Sequence, residues 1–335
     1  MELYLDSVNF QEIEEAFELG FLTGLTTTPT FMHRDGITDI DGAIVKLSKM
    51  VPELQVEALG NTHDEIIGEA HRLLDLPLAK EPVFKVPISE IGVQACNTLT
   101  KEGHRVNVHL IYTLNQAYMA MAAGAAFVCP LAGRLQDEGH DAVALFEQCV
   151  DVVERYGYQS KIMFSSVRHP EHVRQALIAG VHVCTVPWGV MKKLCLNALT
   201  TVGTNQFVEH TTLMTVSVRQ ALRAENPVCT VGNTVKEAMI KMTESRLGAV
   251  TIVDGDGGVI GVFTDGDLRR KIQELGADVI DMALEKAGYS ENPVTISADA
   301  LLYDAVAKFE ESKVDAIIAL DKNKPVGILD VQDIV

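Results

Sequence analysis

The 335-residue chain reads as an α/β protein: a parallel (β/α)8 barrel followed by a smaller, duplicated module. Three observations predict this. Over roughly the first 200 residues, eight short apolar runs alternate with amphipathic helical patterns. Charged or hydroxyl-bearing residues sit within or just after seven of these runs, where a barrel assembles its site. Past residue 225 the pattern changes, and Asn226-Pro227-Val228 returns as Asn292-Pro293-Val294, 66 residues later.

The predicted strands are Leu3–Asp6, Gly24–Thr27, Gln55–Leu59, Val83–Pro87, Val106–Ile111, Phe127–Leu131, Ile162–Ser166 and Val183–Pro187. Each is short and rich in Val, Ile, Leu or Phe, as a strand buried on both faces must be. Helical spacing falls between them, at Asn9–Leu19, Thr62–Leu74, Ile91–Lys101, Thr113–Ala122 and Asp141–Tyr156. Periodicity alone does not prove closure, so an open doubly wound sheet is the alternative. Terminal helices are expected over Thr204–Glu225, which places the domain boundary at 225/226. The tail (226–335) divides into repeats of about 226–285 and 292–335, each of βαββα type. Their helices are Val235–Ser245 and Ala300–Ser312, and each repeat ends on an Asp-Leu or Asp-Ile pair, Asp267-Leu268 and Asp333-Ile334.

Asp and Glu (46) outnumber Lys and Arg (28), for a net charge of −18, which argues against a nucleic-acid partner. No apolar run reaches the roughly 18–20 residues that span a bilayer. The start, Met1-Glu2-Leu3-Tyr4, has no signal-peptide pattern, and the six cysteines show no CxxC or zinc-like spacing. A cytoplasmic protein with free thiols is expected.

Lys85 lies inside the apolar strand Val83-Phe84-Lys85-Val86-Pro87. A buried lysine is rare without a reason. One reading is an amine that attacks a carbonyl, which it must do unprotonated; the other is a lysine that reaches solvent or pairs with Glu57. Asp6, at the end of the first strand, has a plain structural reading as the cap of the helix near Asn9. Arg134 and Arg168, with Ser166, suit a phosphate, since guanidinium donors match its geometry; surface ion pairing is the plainer alternative.

These residues carry a resemblance. Leu3-Tyr4-Leu5-Asp6, Thr26-Thr27-Thr28-Pro29-Thr30, Val56-Glu57, Lys85-Val86-Pro87-Ile88, Gly103 to Gln116, Cys129-Pro130-Leu131-Ala132-Gly133-Arg134, Ser166-Val167-Arg168 and Ala179-Gly180 to Pro187 follow the order of one family. The first ~220 residues resemble the small transaldolase and fructose-6-phosphate-aldolase family of class I aldolases, which are TIM barrels. The resemblance implies that Lys85 forms an imine with the C2 carbonyl of a ketose phosphate. It implies that Asp6 handles the C4 hydroxyl proton and Glu57 holds a proton-shuttling water. Thr26, Thr28, Asn107 and Leu131 would line the substrate pocket, and Arg134, Ser166 and Arg168 would grip phosphate. It implies no metal and no cofactor for catalysis, and a homo-oligomer.

The departures bear on the donor. Thr28 stands where the family has Asn, His109 where it has Thr, Leu131 where it has an aromatic, and Cys129 where it has Ser or Ala. His109 is either an added acid/base or a space-filling partner of Glu57. The expected activity is a transaldolase or aldolase with an altered donor pocket. A catalytically silent sugar-phosphate sensor or scaffold is the alternative. The tail resembles a CBS-domain pair, and Gly261-Val262-Phe263-Thr264-Asp265-Gly266-Asp267 is similar to the pairs attached to arabinose-5-phosphate isomerases, which serve surface-polysaccharide sugars. That implies regulation by an adenine or cytidine nucleotide, with Thr264 on phosphate and Asp267 and Asp333 on ribose. Asp330 replaces the second Thr, so one competent cleft at most is expected.

Overall fold

The computed structural model describes residues 1–334. The chain divides into two compact units, Met1–Leu196 and a second that begins at Asn197.

The first unit is a closed barrel of parallel strands, and this rules out the open sheet. In order these are β1 (Glu2–Asp6), β2 (Gly24–Thr26), β3 (Leu54–Glu57), β4 (Val83–Pro87), β5 (Val106–Ile111), β6 (Phe127–Pro130), β7 (Lys161–Phe164) and β8 (Val183–Val186). Closure is made by β8 pairing with β1, with Tyr4 opposite Thr185.

Strand alternation explains why these runs read as continuously apolar. Outward residues such as Leu5, Leu25, Val56, Phe84, Val108 and Phe164 pack under the helices. Inward residues Tyr4, Val83, Phe127, Met163 and Val183 fill the barrel as a separate plug. Burial of each large side chain is worth about 1.5–3 kcal/mol. Period two then decides where the polar groups go. Two residues after the plug, on the same inward face, come Asp6, Lys85, Cys129, Ser165 and Thr185. The site is therefore the next layer of the barrel interior, toward the C-terminal ends of the strands.

Helix starts follow local capping chemistry. Asn9, not Asp6, caps helix Phe10–Phe17, its side chain accepting from the Gln11 and Glu12 amides. Thr62, Ser89, Thr113 and Asp141 cap the later helices in the same way. Asp6 therefore does not fill the capping role that the sequence left open for it.

The second unit holds two three-stranded sheets. The first contains β9 (Val228–Thr230), β10 (Ala249–Val253) and β11 (Val259–Thr264). The second contains β12 (Thr295–Ser297), β13 (Ala316–Asp321) and β14 (Lys324–Asp330). Each repeat has its own core, and Leu247 and Ala249 meet Ile318 and Ile328 in a cluster shared by both. Neither repeat buries its apolar sheet face alone, which is why they occur as a pair.

Two boundaries differ from the sequence reading. The units part at 196/197 rather than 225/226, because helix Ala198–Thr215 packs on Leu302–Ser312 of the tail. The duplication also begins before Asn226. Ser217 bridges Leu301 just as Thr234 bridges Ala283. The segment starting at Ser217 thus caps the second repeat, and its counterpart at Ala283 caps the first. These short caps share almost no residues, so repetition of letters did not reveal them.

Candidate active site

A cavity of about 440 Å³ opens at the C-terminal mouth of the barrel. It is lined by Asp6, Thr26, Thr28, Glu57, Lys85, Asn107, His109, Leu131, Arg134 and Ser166, among others. Eight separate strands and their following loops thus converge on one hollow, as in other barrels of this type.

Lys85 is 4% exposed, and its Nζ lies 3.0 Å from Glu57 Oε1 and 2.6 Å from the Thr27 carbonyl oxygen. Register places Glu57 and Asn107 on either side of it, on β3 and β5. The Lys85 side chain is buried and does not extend to the outer surface. The pairing with Glu57 is present, and it coexists with a position at the floor of the cavity.

Glu57 Oε2 lies 2.9 Å from His109 Nε2. Burial pushes the Glu57 carboxyl up, but Lys85 and the hydrogen bond from His109 outweigh it and hold the pKa below the usual range. Burial lowers the His109 pKa, and Lys85 and Arg134 lower it further, against the pull of Glu57. At neutral pH His109 is therefore a neutral imidazole that donates Nε2–H to an ionised Glu57. The contact with Glu57 is the one that the partner reading of His109 expects.

Asp6 behaves oppositely. Part of its surface faces the cavity, but it sits deep in the barrel, and burial raises its carboxyl above the ordinary range. Lys85 and a 2.8 Å hydrogen bond from Thr26 Oγ1 only partly offset this. Two carboxylates flank one lysine, and their environments push their pKa values apart.

Two of the cavity-lining residues expected to meet the substrate carry structural work. Thr28 Oγ1 accepts from the Phe31 amide and caps helix Pro29–Arg34. Asn107 donates to Gln55 Oε1 at 2.6 Å, while its own Oδ1 has no partner. A buried, unpartnered carbonyl oxygen on a cavity-lining residue is suited to accept from a ligand hydroxyl. Gln55, fully buried and holding Asn107, was not anticipated from sequence, since glutamine is usually a surface residue. Its inward parity on β3 was the available signal.

The residues expected to grip phosphate divide between two hollows. Arg134 and Ser166 line the cavity, and Arg134 also donates to the Tyr112 hydroxyl at 3.3 Å. Arg168 lies in an adjoining surface hollow of about 910 Å³, which Arg134 shares, and it pairs with Asp137. Ser166 and Leu110 have left-handed φ of 61° and 58°, and both line the cavity. Such non-glycine conformations cost about 1–3 kcal/mol and tend to cluster at sites. Gly133 permits the Ser166 turn: a Cβ there would lie 2.2 Å from the Ser166 carbonyl oxygen. Gly133→Ala is therefore expected to displace Ser166 and weaken binding of inorganic phosphate about tenfold or more, measured by calorimetry; the overpacking costs about 1–3 kcal/mol in stability.

In the tail, Thr264 and Asp267 form a capping box for helix Asp265–Leu275, with Thr264 Oγ1 2.7 Å from Asp267 Oδ2. Asp267 also pairs with Arg270 at 2.6 Å. Asp333 is held by Arg223, with Nη2 at 2.7 Å and Nε at 3.1 Å. A cavity of about 270 Å³ beside the first repeat is lined by Met239, Met242, Thr243, Arg246, Leu247, Gly248, Asp265 and Leu268. None of Thr264, Asp267 and Asp333 is in its lining.

A closed (β/α)8 barrel with a lysine-centred cavity at its C-terminal mouth, joined to a duplicated βαββα pair, defines the class. Residues 3–244 match the model of the transaldolase/fructose-6-phosphate aldolase family, and 218–274 and 287–335 match that of the CBS domain. The chain belongs to the transaldolase/fructose-6-phosphate aldolase family and carries a CBS-domain pair. Its relatives include a probable transaldolase of Dehalococcoides mccartyi, 34% identical over 210 residues, which are 62% of this chain and 96% of that one. Probable transaldolase 2 of Bacillus anthracis is 35% identical over 214 residues, 62% of this chain and 96% of its own. A probable transaldolase of Thermoanaerobacter sp. is 36% identical over 210 residues, with the same shares. All six cysteines are free, and no helix among the described residues is long and apolar enough to cross a membrane.

Proposed function

We propose that this protein is a Schiff-base-forming transaldolase or aldolase acting on a phosphorylated ketose, with an altered donor pocket. The observation that carries the reading is Lys85, buried at the cavity floor 3.0 Å from Glu57, with Asp6 lining the same hollow.

The Lys85 amine attacks the ketose C2 carbonyl and, with loss of water, gives a protonated imine. Asp6 takes the C4 hydroxyl proton, and the C3–C4 bond breaks with its electron pair drawn into the imine. An aldose phosphate leaves, and an enamine remains on Lys85. The enamine then attacks an acceptor aldehyde, or is protonated and hydrolysed. A carboxyl held above its usual range is suited to exchanging such a proton. Arg134 and Ser166 hold the phosphate. Arg168 can join them at little cost, because its exposed pair with Asp137 is worth only about 0–1 kcal/mol. Asn107 Oδ1 accepts from a substrate hydroxyl.

The test is transfer of a three-carbon ketone unit between sugar phosphates, followed by chromatography over a panel of donors and acceptors. Turnover with any pair supports the reading. No turnover, with sugar-phosphate binding retained, identifies a silent sensor.

The same reading takes the CBS pair as a regulatory module for an adenine or cytidine nucleotide, in the setting of surface-polysaccharide sugars. The first repeat would bind it through Thr264 and Asp267, and Arg223 would keep the Asp333 cleft closed. Calorimetry is expected to give one equivalent per chain at most, lost in Asp267→Ala; flat titrations would leave a scaffold role. Helix Ala198–Thr215 buries no residue and exposes Leu199, Phe207 and Met214, which supports a homo-oligomer in which that face is covered.

A further inference from the structure

At the opposite end of the barrel from the cavity, two histidines and a carboxylate converge. His71 lies in the last turn of helix His63–Leu74, and Glu102 ends the neighbouring helix Glu90–Lys101. His104 lies two residues before β5. One ligand atom from each falls within 4.8 Å of the other two. His71 Nε2 is 2.9 Å and His104 Nε2 3.9 Å from the same oxygen, Glu102 Oε2. Ligand atoms of a tetrahedral zinc site with bonds of 2.0–2.1 Å stand about 3.3 Å apart, between these two values.

The surroundings favour a cation in three independent ways. His104 Nδ1 lies 2.7 Å from Glu81 Oε1. A carboxylate only accepts, so Nδ1 carries a proton and Nε2 is the nitrogen turned toward Glu102. A histidine held by a carboxylate through its other nitrogen is also the usual outer support of a metal ligand. The His104 ring is fixed edge-on against Phe84, with centroids 5.8 Å apart. Finally, the C-terminal ends of both helices meet here, and their partial negative charge adds to that of Glu102.

We propose that His71, Glu102 and His104 form a binding site for a divalent transition metal of zinc type, with Glu81 as the group that orients His104. Two imidazoles and one carboxylate select against Ca²⁺ and Mg²⁺, which take oxygen ligands. On binding, the His71 proton moves from Nε2 to Nδ1, and the metal replaces its hydrogen bond to Glu102. Water completes the coordination. The site lies at the N-terminal ends of the strands, the face of such barrels associated with stability rather than chemistry. It would clip two helices to the loops that enter β4 and β5.

The experiment titrates ZnCl2 into the tag-free full-length protein against a chromophoric chelator. One equivalent is expected, with affinity reduced about 100-fold or more in His71→Ala and in His104→Ala. Glu81→Gln, which removes no ligand, is expected to weaken binding about 10–100-fold. Glu102→Gln serves as a second ligand variant should a histidine substitution disturb folding, which circular dichroism checks. CoCl2 is expected to give a visible band without thiolate charge transfer, separating this site from the exposed Cys195. Absence of zinc uptake at micromolar concentration, uptake unchanged in the ligand variants, or a cobalt spectrum with thiolate bands would each overturn the proposal. The readout is binding alone, so it stands or falls apart from the activity of the barrel.

Discussion

Lys85→Met is expected to abolish turnover, by about 10⁴-fold or more, because no other group can supply the covalent step of the proposed mechanism. Among the described residues lining the cavity, Lys85 is the one lysine. Methionine keeps roughly its length and fills its apolar channel. It also strips Glu57 of its cation and leaves a buried carboxylate held by His109 alone, at a cost of about 3–5 kcal/mol. Lys85→Arg separates the two effects. It retains the charge beside Glu57 and cannot form an imine, so activity is expected to be lost with much less loss of stability. Steady-state rates and thermal melts on both variants check this.

Asp6→Asn is expected to lower kcat by about 10²–10⁴-fold while leaving imine formation intact, since in the proposed mechanism the carboxyl acts on the C4 proton and not on the carbonyl. A second effect has the opposite sign. The Asp6 carboxyl is held above its unfolded-state value chiefly by burial, so folding favours its protonated form. That contribution is present at low pH and lost as pH rises through the folded pKa. At pH 7–8 the buried carboxyl therefore costs stability relative to the unfolded chain, and asparagine carries no such cost. The variant is therefore expected to melt higher than the wild type at pH 7–8, with the gain shrinking toward about pH 4. A less active but more stable Asp6→Asn is what a site residue retained for chemistry predicts. Equal melting temperatures across that range would contradict it.

Much of the barrel was legible because strands buried on both faces leave an unmistakable apolar run. β4 and β5 were read to the residue, and most others to within one or two. Helix Ile40–Met50 was missed although Ala43, Ile44 and Leu47 mark its buried face. Helix Pro29–Arg34 is too short to establish a period. The site was legible where chemistry-bearing residues interrupt apolar strands, as Lys85 does. Gln55 was not, because its importance comes from packing against Asn107 across two strands. The engagement of Arg168 by Asp137 joins positions 31 residues apart, as does that of His71 by Glu102, and no local pattern announces either. The Thr264–Asp267 spacing is itself a capping signal, so one pair of residues carries both a local and a ligand-binding reading.

The most direct test is to incubate the protein with a panel of ketose phosphates and borohydride, then map the modified peptides by mass spectrometry. The account predicts a reduced adduct on the peptide bearing Lys85, with the mass of one donor, or of the three-carbon ketone unit it leaves behind, less water plus two hydrogens, and none in Lys85→Met. No adduct with any donor, or labelling of other lysines that survives Lys85→Met, would contradict it.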